Sequence, residues 1–235
     1  MTLERIAVVG TDTGVGKTVV TAGLTAWLRE EGVDARAIKP AQTGYPPDDD
    51  AEYVRRVCEN HDAATCLRYL EPPLAPRVAA ERTGETLAYE PLLEACDREL
   101  ERHDVGIVEG IGGLRVPLAE DREVIDLVSD LSCPVILVAR AALGTLNHTA
   151  LSLEALERRG VEVLTVVFDE YTGETVAERT NPAELERMTD VSVTTIPPLA
   201  VDDSGAVVDA TREALSGLAQ VDPSVSSNRH CPKKS

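Results

Sequence analysis

Lys17 and Thr18 carry the first chemistry in the chain. They close the stretch RIAVVGTDTGVGKT at 5–18. An apolar run from Ile6 to Val9 leads into a Gly-rich turn, and a helical pattern begins at Lys17. Strand, glycine turn and helix start are the layout of a phosphate-binding loop. Glycines let backbone N–H groups close around phosphate oxygens. The helix start adds its dipole and unpaired donors. There Lys17 lies along the β- and γ-phosphates, and Thr18 offers its hydroxyl to Mg2+. The spacing departs from G-x-x-x-x-G-K-[ST], because Gly10 and Gly16 enclose five residues and Thr11 holds the usual first glycine position.

Lys39 is the second candidate. The chain has four lysines, and two of them, Lys233 and Lys234, stand in the last residues. Lys17 and Lys39 therefore stand out as working residues. Lys39 opens KPAQTG at 39–44, just after an expected strand over 35–38. Functional groups gather at such strand ends in open α/β sheets. The run PPDDD at 46–50 opens a short helix expected over 51–59. By spacing alone its aspartates read as a solvated helix start favoured by the dipole. The alternative is a carboxylate on Mg2+ beside the phosphates. A third apolar strand over 105–108 ends in Glu109-Gly110-Ile111-Gly112-Gly113. An acid at the tip of a buried strand is where a metal-binding carboxylate sits. Gly144-Thr145-Leu146-Asn147-His148 opens another helix, whose N–H groups suit a carboxylate. His148 by itself reads as a structural residue.

The remaining elements must position these groups. The first helix is expected over 17–31, with Val20, Leu24, Trp27 and Leu28 on one face and Gly32 after it. Residues 61–84 read as irregular because of Pro72, Pro73 and Pro76. Helices follow over 89–102 and 124–131, and PVILV at 134–138 reads as the central strand. Further strands are expected over 161–168 and 191–196, with Asn181 capping a helix between them and Pro182 in its first turn. A closing helix spans 208–218. Strands alternate with helices throughout, which makes a single α/β domain over 1–221 with a mostly parallel sheet flanked by helices. Residues 222–235 read as a polar, disordered tail.

Composition sets the class. With 235 residues, 43% of them apolar, the chain can bury a sizeable core, and aromatics at 3% leave that core to Val, Leu, Ile and Ala. The formal charge is −18, from 41 acidic and 23 basic residues. Such a surface repels nucleic acid and anionic membrane, and it suits a high-salt medium that screens self-repulsion. Five cysteines without a C-x-x-C pair suggest neither a zinc site nor a disulfide framework. With no signal peptide or spanning-length apolar run, a cytoplasmic setting is expected.

Taken together, the motifs resemble the dethiobiotin synthetase family of the biotin pathway, within the deviant P-loop NTPase group. The resemblance rests on GTDTGVGKT at 10–18, KPAQTG at 39–44, the Asp before Ala-Glu at 50, VEGIGG at 108–113, PVILV at 134–138 and GTLNH at 144–148. They span about 190 residues in the family's order, and their combination is specific where each alone is not. The family shows the same five-residue loop spacing.

The resemblance implies a three-layer P-loop domain and an ATP-dependent cyclo-ligase. Its substrates would be 7,8-diaminononanoate, CO2 or bicarbonate, and ATP. Lys39 and Lys17 would be catalytic. Thr43 would hydrogen-bond the carbamate or amine. Thr18, Asp50 and Glu109 would hold Mg2+, with Asp49 as the register alternative to Asp50. Thr13, Gly14, Val15, Gly16, Lys17 and Thr18 would line the phosphates, bordered by Glu109, Gly110, Ile111 and Gly112. Gly144, Thr145, Leu146 and Asn147 would bind the substrate's tail carboxylate from the neighbouring subunit, so a homodimer is implied. Two departures stand out. Gly14 replaces an acidic residue common in the family. Phe168-Asp169 stands where the family often has Asn-Asp for reading the base, with Pro197, Pro198 and Leu199 flanking it, and a loose base preference is expected.

Other readings fit less well. An amidating enzyme of the same group usually carries a glutaminase domain with a nucleophilic cysteine, for which 235 residues leave no room, and no cysteine here stands on a convincing nucleophile turn. A partitioning ATPase often carries a lysine early in the loop, where this chain has Asp12. A nucleotide sensor without catalysis need not keep Lys17, Lys39, Thr43 and Glu109 together.

Overall fold

The computed structural model describes residues 3–218. The first two strands, β1 (Arg5–Gly10) and β2 (Ala35–Lys39), are joined by helix α1 (Lys17–Glu30). A two-residue strand β3 (Gln42–Thr43), helix α2 (Asp50–Val57), and strands β4 (Ala64–Cys66) and β5 (Tyr69–Leu70) follow. Helices α3 (Pro76–Thr83) and α4 (Tyr89–Leu100) precede the long strand β6 (Val105–Gly113). The hairpin of β7 (Pro117–Ala119) and β8 (Arg122–Glu123) leads to α5 (Val124–Asp130) and β9 (Val135–Arg140). The chain continues through α6 (Thr145–Arg158), β10 (Val163–Asp169), α7 (Val176–Thr189), β11 (Val193–Thr195) and α8 (Ser204–Leu215).

Seven strands form one sheet in the order β11-β10-β9-β1-β6-β2-β4. Every pairing in it is parallel. Helices cover both faces, because successive side chains of a strand point to opposite sides and both sides here are apolar. Ile6, Val8, Ile136, Val138 and Val167 pack with the cluster of α1, α2 and α8. Ala7, Val9, Leu137, Val166 and Phe168 pack with the cluster of α4 to α7. This is the expected three-layer α/β architecture. The phosphate loop leaves β1, the middle strand, which neighbours β9 and β6. Crevices at the carboxyl ends of such strands are the usual ligand sites of open parallel sheets.

Four expectations need correction. PVILV lies inside the sheet, but β1 takes the centre. The stretch 61–84 contains two short strands and α3, because Pro76 occupies the first turn of that helix, where no N–H is needed. Asn181 caps nothing. Thr175 and Glu178 make the capping box of α7, Pro182 lies inside the helix, and the buried Asn181 amide donates to the Ala141 carbonyl at 3.2 Å. The closing helix begins at Ser204, capped by Asp203. The expected tail at 222–235 lies outside the described residues.

Candidate active site

β1, β6 and β2 lie side by side: the loop after β1 delivers Lys17, β2 ends on Lys39, and Glu109 stands midway along β6, which runs on past the expected end at 108, and all three line one cleft of about 700 Å³. Lys17 folds back over the loop, and its Nζ donates to the Asp12 carbonyl at 2.7 Å. Burial, followed by the charge of Lys39, lowers its pKa to about 8, against the pull of Glu109, Asp50 and Asp12. The N–H groups of residues 14–18 donate to no protein acceptor among the described residues. Gly16 sits at φ 96°, a left-handed conformation, and a side chain there would overlap Asp169 Oδ2. Glycine is the residue that tolerates both conditions.

Lys39 is 5% exposed and lies between two acids. Its Nζ is 2.5 Å from Asp50 Oδ2 and 2.8 Å from Glu109 Oε1, and it donates to the Gly110 carbonyl at 3.2 Å. Burial opposes its charge, but Glu109 and Asp50 outweigh burial and raise its pKa. Asp50 is also penalised by burial, but the ammonium of Lys39 prevails and keeps it below the ordinary carboxylate range. Glu109, 2% exposed, is shifted upward by burial, which the attraction of Lys39 does not offset. Thr18 Oγ1 donates to Glu109 Oε1 at 2.9 Å, tying the loop to the middle of β6.

The two aspartates before α2 divide their tasks. Asp49 caps α2, accepting from the Glu52 N–H at 3.0 Å and from Tyr69 Oη at 3.2 Å. Asp50 is therefore the one turned to Lys39. Gln42 was missed as a positioning residue. It is buried, and its Oε1 accepts from the Asp50 N–H at 3.2 Å, fixing where α2 begins. The signal was present in KPAQTG, but spacing alone does not tell a buried amide from a loop residue. Thr43, Ile111, Gly112 and Leu199 also line the cleft.

Other candidates fall elsewhere. Phe168 is fully buried in the core beneath α4 to α7, so its side chain cannot read a base. Strand alternation puts the next residue, Asp169, on the α1 side against Gly16. Burial raises the Asp169 carboxyl to about 6, with the charge of Glu170 adding to it and Arg140 opposing. Pro197 and Pro198 are exposed after β11. Gly144 to Asn147 begin α6 and do not line the cleft. Thr145 is buried there, with its Oγ1 3.3 Å from Thr149 Oγ1, Asn147 is exposed, and the neighbouring Leu143 is 90% exposed.

Asp50 and Glu109 offer carboxylate oxygens to one buried ammonium, and the Thr18 hydroxyl on Glu109 adds a third hard oxygen beside them. That set fits Mg2+, which takes few protein ligands and completes its shell with water and phosphate oxygens. Among the described residues no three His, Cys, Asp or Glu side chains form a metal cage of their own.

A parallel sheet with a glycine loop, two buried lysines and free loop N–H groups defines a P-loop nucleotide-binding protein. The match to a family described as an AAA domain over residues 4–201 agrees. Among solved structures, cobyrinic acid a,c-diamide synthase from Mycobacterium smegmatis, with bound ADP and magnesium, aligns over 100% of both chains at 16% identity and a TM-score of 0.57. The MinC:MinD cell division complex of Aquifex aeolicus aligns over 90% of this chain and 95% of its own at 12% identity, with a TM-score of 0.58. At such identities these likenesses speak to the fold alone. The sequence relatives are more specific. The ATP-dependent dethiobiotin synthetase BioD of Haloferax mediterranei is 62% identical over 195 residues, 83% of this chain and 84% of that protein. Its counterpart in Bacillus licheniformis is 36% identical over 208 residues, 86% of this chain and 88% of that protein. The chain belongs to the ATP-dependent dethiobiotin synthetase family, whose members are ligases of biotin biosynthesis.

Proposed function

We propose that the cleft closes the ureido ring of dethiobiotin on 7,8-diaminononanoate. The observation that carries this reading is Lys39, a second buried cation beside the phosphate loop, held by Asp50 and Glu109. One substrate amine adds to CO2 and loses a proton, giving a carbamate. A carbamate oxygen attacks the γ-phosphorus of ATP, ADP leaves, and a carbamic-phosphoric anhydride forms. The second amine attacks the carbonyl, phosphate departs with the C–O electron pair, and loss of a proton completes the ring.

The protein's part is positioning and charge. Phosphoryl transfer gains most from both. The N–H groups of Gly14 to Thr18 cradle the phosphates, Thr13 borders them with its own N–H held by Asp12, and Lys17 spans them. Lys39 neutralises the carbamate oxygens and the charge developing on the γ-phosphoryl. Thr43 orients the carbamate or amine. Thr18, Asp50 and Glu109 are the residues that would hold Mg2+, which when bound screens the phosphate charge. Gly110, Ile111 and Gly112 border the nucleotide, and Leu199 with Pro197 and Pro198 flanks its base. Asp169 replaces Phe168 as the side chain on that side of the loop. Gly144 to Asn147 bind the tail carboxylate of a substrate held by a second copy, which fits their absence from this cleft's lining and the exposure of Leu143.

The test is incubation with diaminononanoate, bicarbonate, Mg2+ and ATP in concentrated salt, with dethiobiotin read by mass. Product is expected. Folded protein that yields none with ATP, CTP or GTP refutes the reading. Similar turnover with the three nucleotides is expected from the missing base-reading amide. A strong preference for ATP would show that another group reads adenine.

A further inference from the structure

Arg140 ends β9 and points across to the phosphate loop. Its Nη2 and Nε donate to the Gly14 carbonyl at 2.7 and 3.1 Å. Gly14 sits at φ 68° at the turn of the loop. Arg140 is exposed, so the contact adds little to folding. It does fix the orientation of one peptide. In a trans peptide the C=O and N–H point in opposite directions. Drawing the Gly14 carbonyl toward Arg140 turns the Val15 N–H the other way, away from Arg140. That N–H donates to no protein acceptor among the described residues.

A second observation points the same way. The carboxylate of Asp169 lies against Gly16 on the same loop, where it repels phosphate. Arg140 lies close enough to favour the ionised form of Asp169. It therefore offsets a negative charge beside the loop in a chain of formal charge −18.

We infer that Arg140 is a positioning residue for nucleotide binding, holding the Gly14–Val15 peptide in its phosphate-accepting orientation and balancing Asp169. The inference rests on the reading of the loop as a nucleotide site. Because Arg140 acts on the phosphate cradle, its effect is the same for every base.

The experiment measures Kd for Mg2+ complexes of ATP, CTP and GTP by calorimetry, without diamine and at one salt concentration. Wild type is compared with Arg140→Ala, Arg140→Gln and Arg140→Lys. Loss of a charge-assisted, two-pronged hydrogen bond should weaken each nucleotide about tenfold in the Ala and Gln variants. Arg140→Lys, which keeps charge and one donor, should recover part of that loss. The thermal midpoint without nucleotide should stay put in all three. Unchanged Kd in Arg140→Ala overturns the inference. So does a loss confined to one base, which makes Arg140 a base reader, or a lowered midpoint, which makes it a structural contact. The outcome is separable from the ring-closing reading: wild-type protein that binds nucleotide but forms no dethiobiotin refutes that reading and leaves this one standing.

Discussion

Lys39 shows how much one side chain can hold. Its ammonium sits where two carboxylates converge, and nothing else in the cleft balances them as closely. Lys39→Met should lower dethiobiotin formation by about 10²–10³-fold, the usual loss when a fixed charge-stabilising group is removed. It should also cost about 3 kcal/mol of stability in chelator, because the buried Glu109 and the partly exposed Asp50 lose their counter-charge. Added Mg2+ should restore part of that stability. Denaturant titrations with and without Mg2+ check this, and an equal loss in both would show that the acids do not share a cation site. Asp169 gives a pH dependence. Its folded pKa of about 6 lies above the unfolded value near 3.8. The folded state therefore binds more protons between these values, and stability falls as pH rises through them. The decline from this group amounts to about 2–3 kcal/mol. Asp169→Asn should be the more stable protein at pH 8, and the two urea midpoints should converge below about pH 4. A gap that ignores pH would assign the effect to packing.

At the scale of elements, the site depends on helix α1 lying close to the sheet and to α8. Gly23 allows that approach. A Cβ there would overlap Thr211 Oγ1 and come 2.8 Å from the Val207 carbonyl oxygen. Gly23→Ala therefore should destabilise the fold by about 2 kcal/mol, despite the better helix propensity of alanine. Thr211→Ala in the same chain should return part of it, since the hydroxyl it removes has no hydrogen-bond partner among the described residues. Thermal midpoints of the single and double variants decide the point. Strand β10 shows a subtler dependence. Alternation along it sends Phe168 into the core and Asp169 to the loop. The dipeptide reads as one unit in the sequence, yet its two side chains serve different layers.

The whole molecule is shaped by its charge. Surface pairs such as Arg5–Asp97 and Arg29–Asp34 spend arginines on a chain with far more acids. The surplus repels itself, and salt screens it over about 10 Å at 0.1 M and about 3 Å at 1 M. The thermal midpoint should rise between about 0.1 M and about 2 M KCl. A flat response would mean that the acidic surface imposes no salt requirement. Association belongs to the same scale. Leu143 and Leu151 are 90% and 57% exposed, before and within α6. Light scattering should give about twice 25.2 kDa. Leu143→Asp should shift the protein to monomer and weaken diamine binding while leaving ATP binding in place. A wild-type monomer that turns over fully would refute the shared site.

The sequence by itself determined the elements with local causes. The glycine loop, the helix at Lys17 and the apolar strands were legible because turn chemistry, capping and periodicity act over a few residues, whereas β6 runs on to Gly113 and leaves Glu109 in its middle. The scarcity of lysine marked Lys17 and Lys39. What it left open were relations between distant segments. It could not say that β1 lies at the centre, because strand order depends on crossovers and not on apolarity. It could not choose between Asp49 and Asp50, which depend on Gln42 and Tyr69 from other elements. It could not see Arg140 reaching Gly14 from 126 residues away. Only the tertiary structure brings such groups together, because the sheet that aligns the strand ends forms only as the whole core is buried.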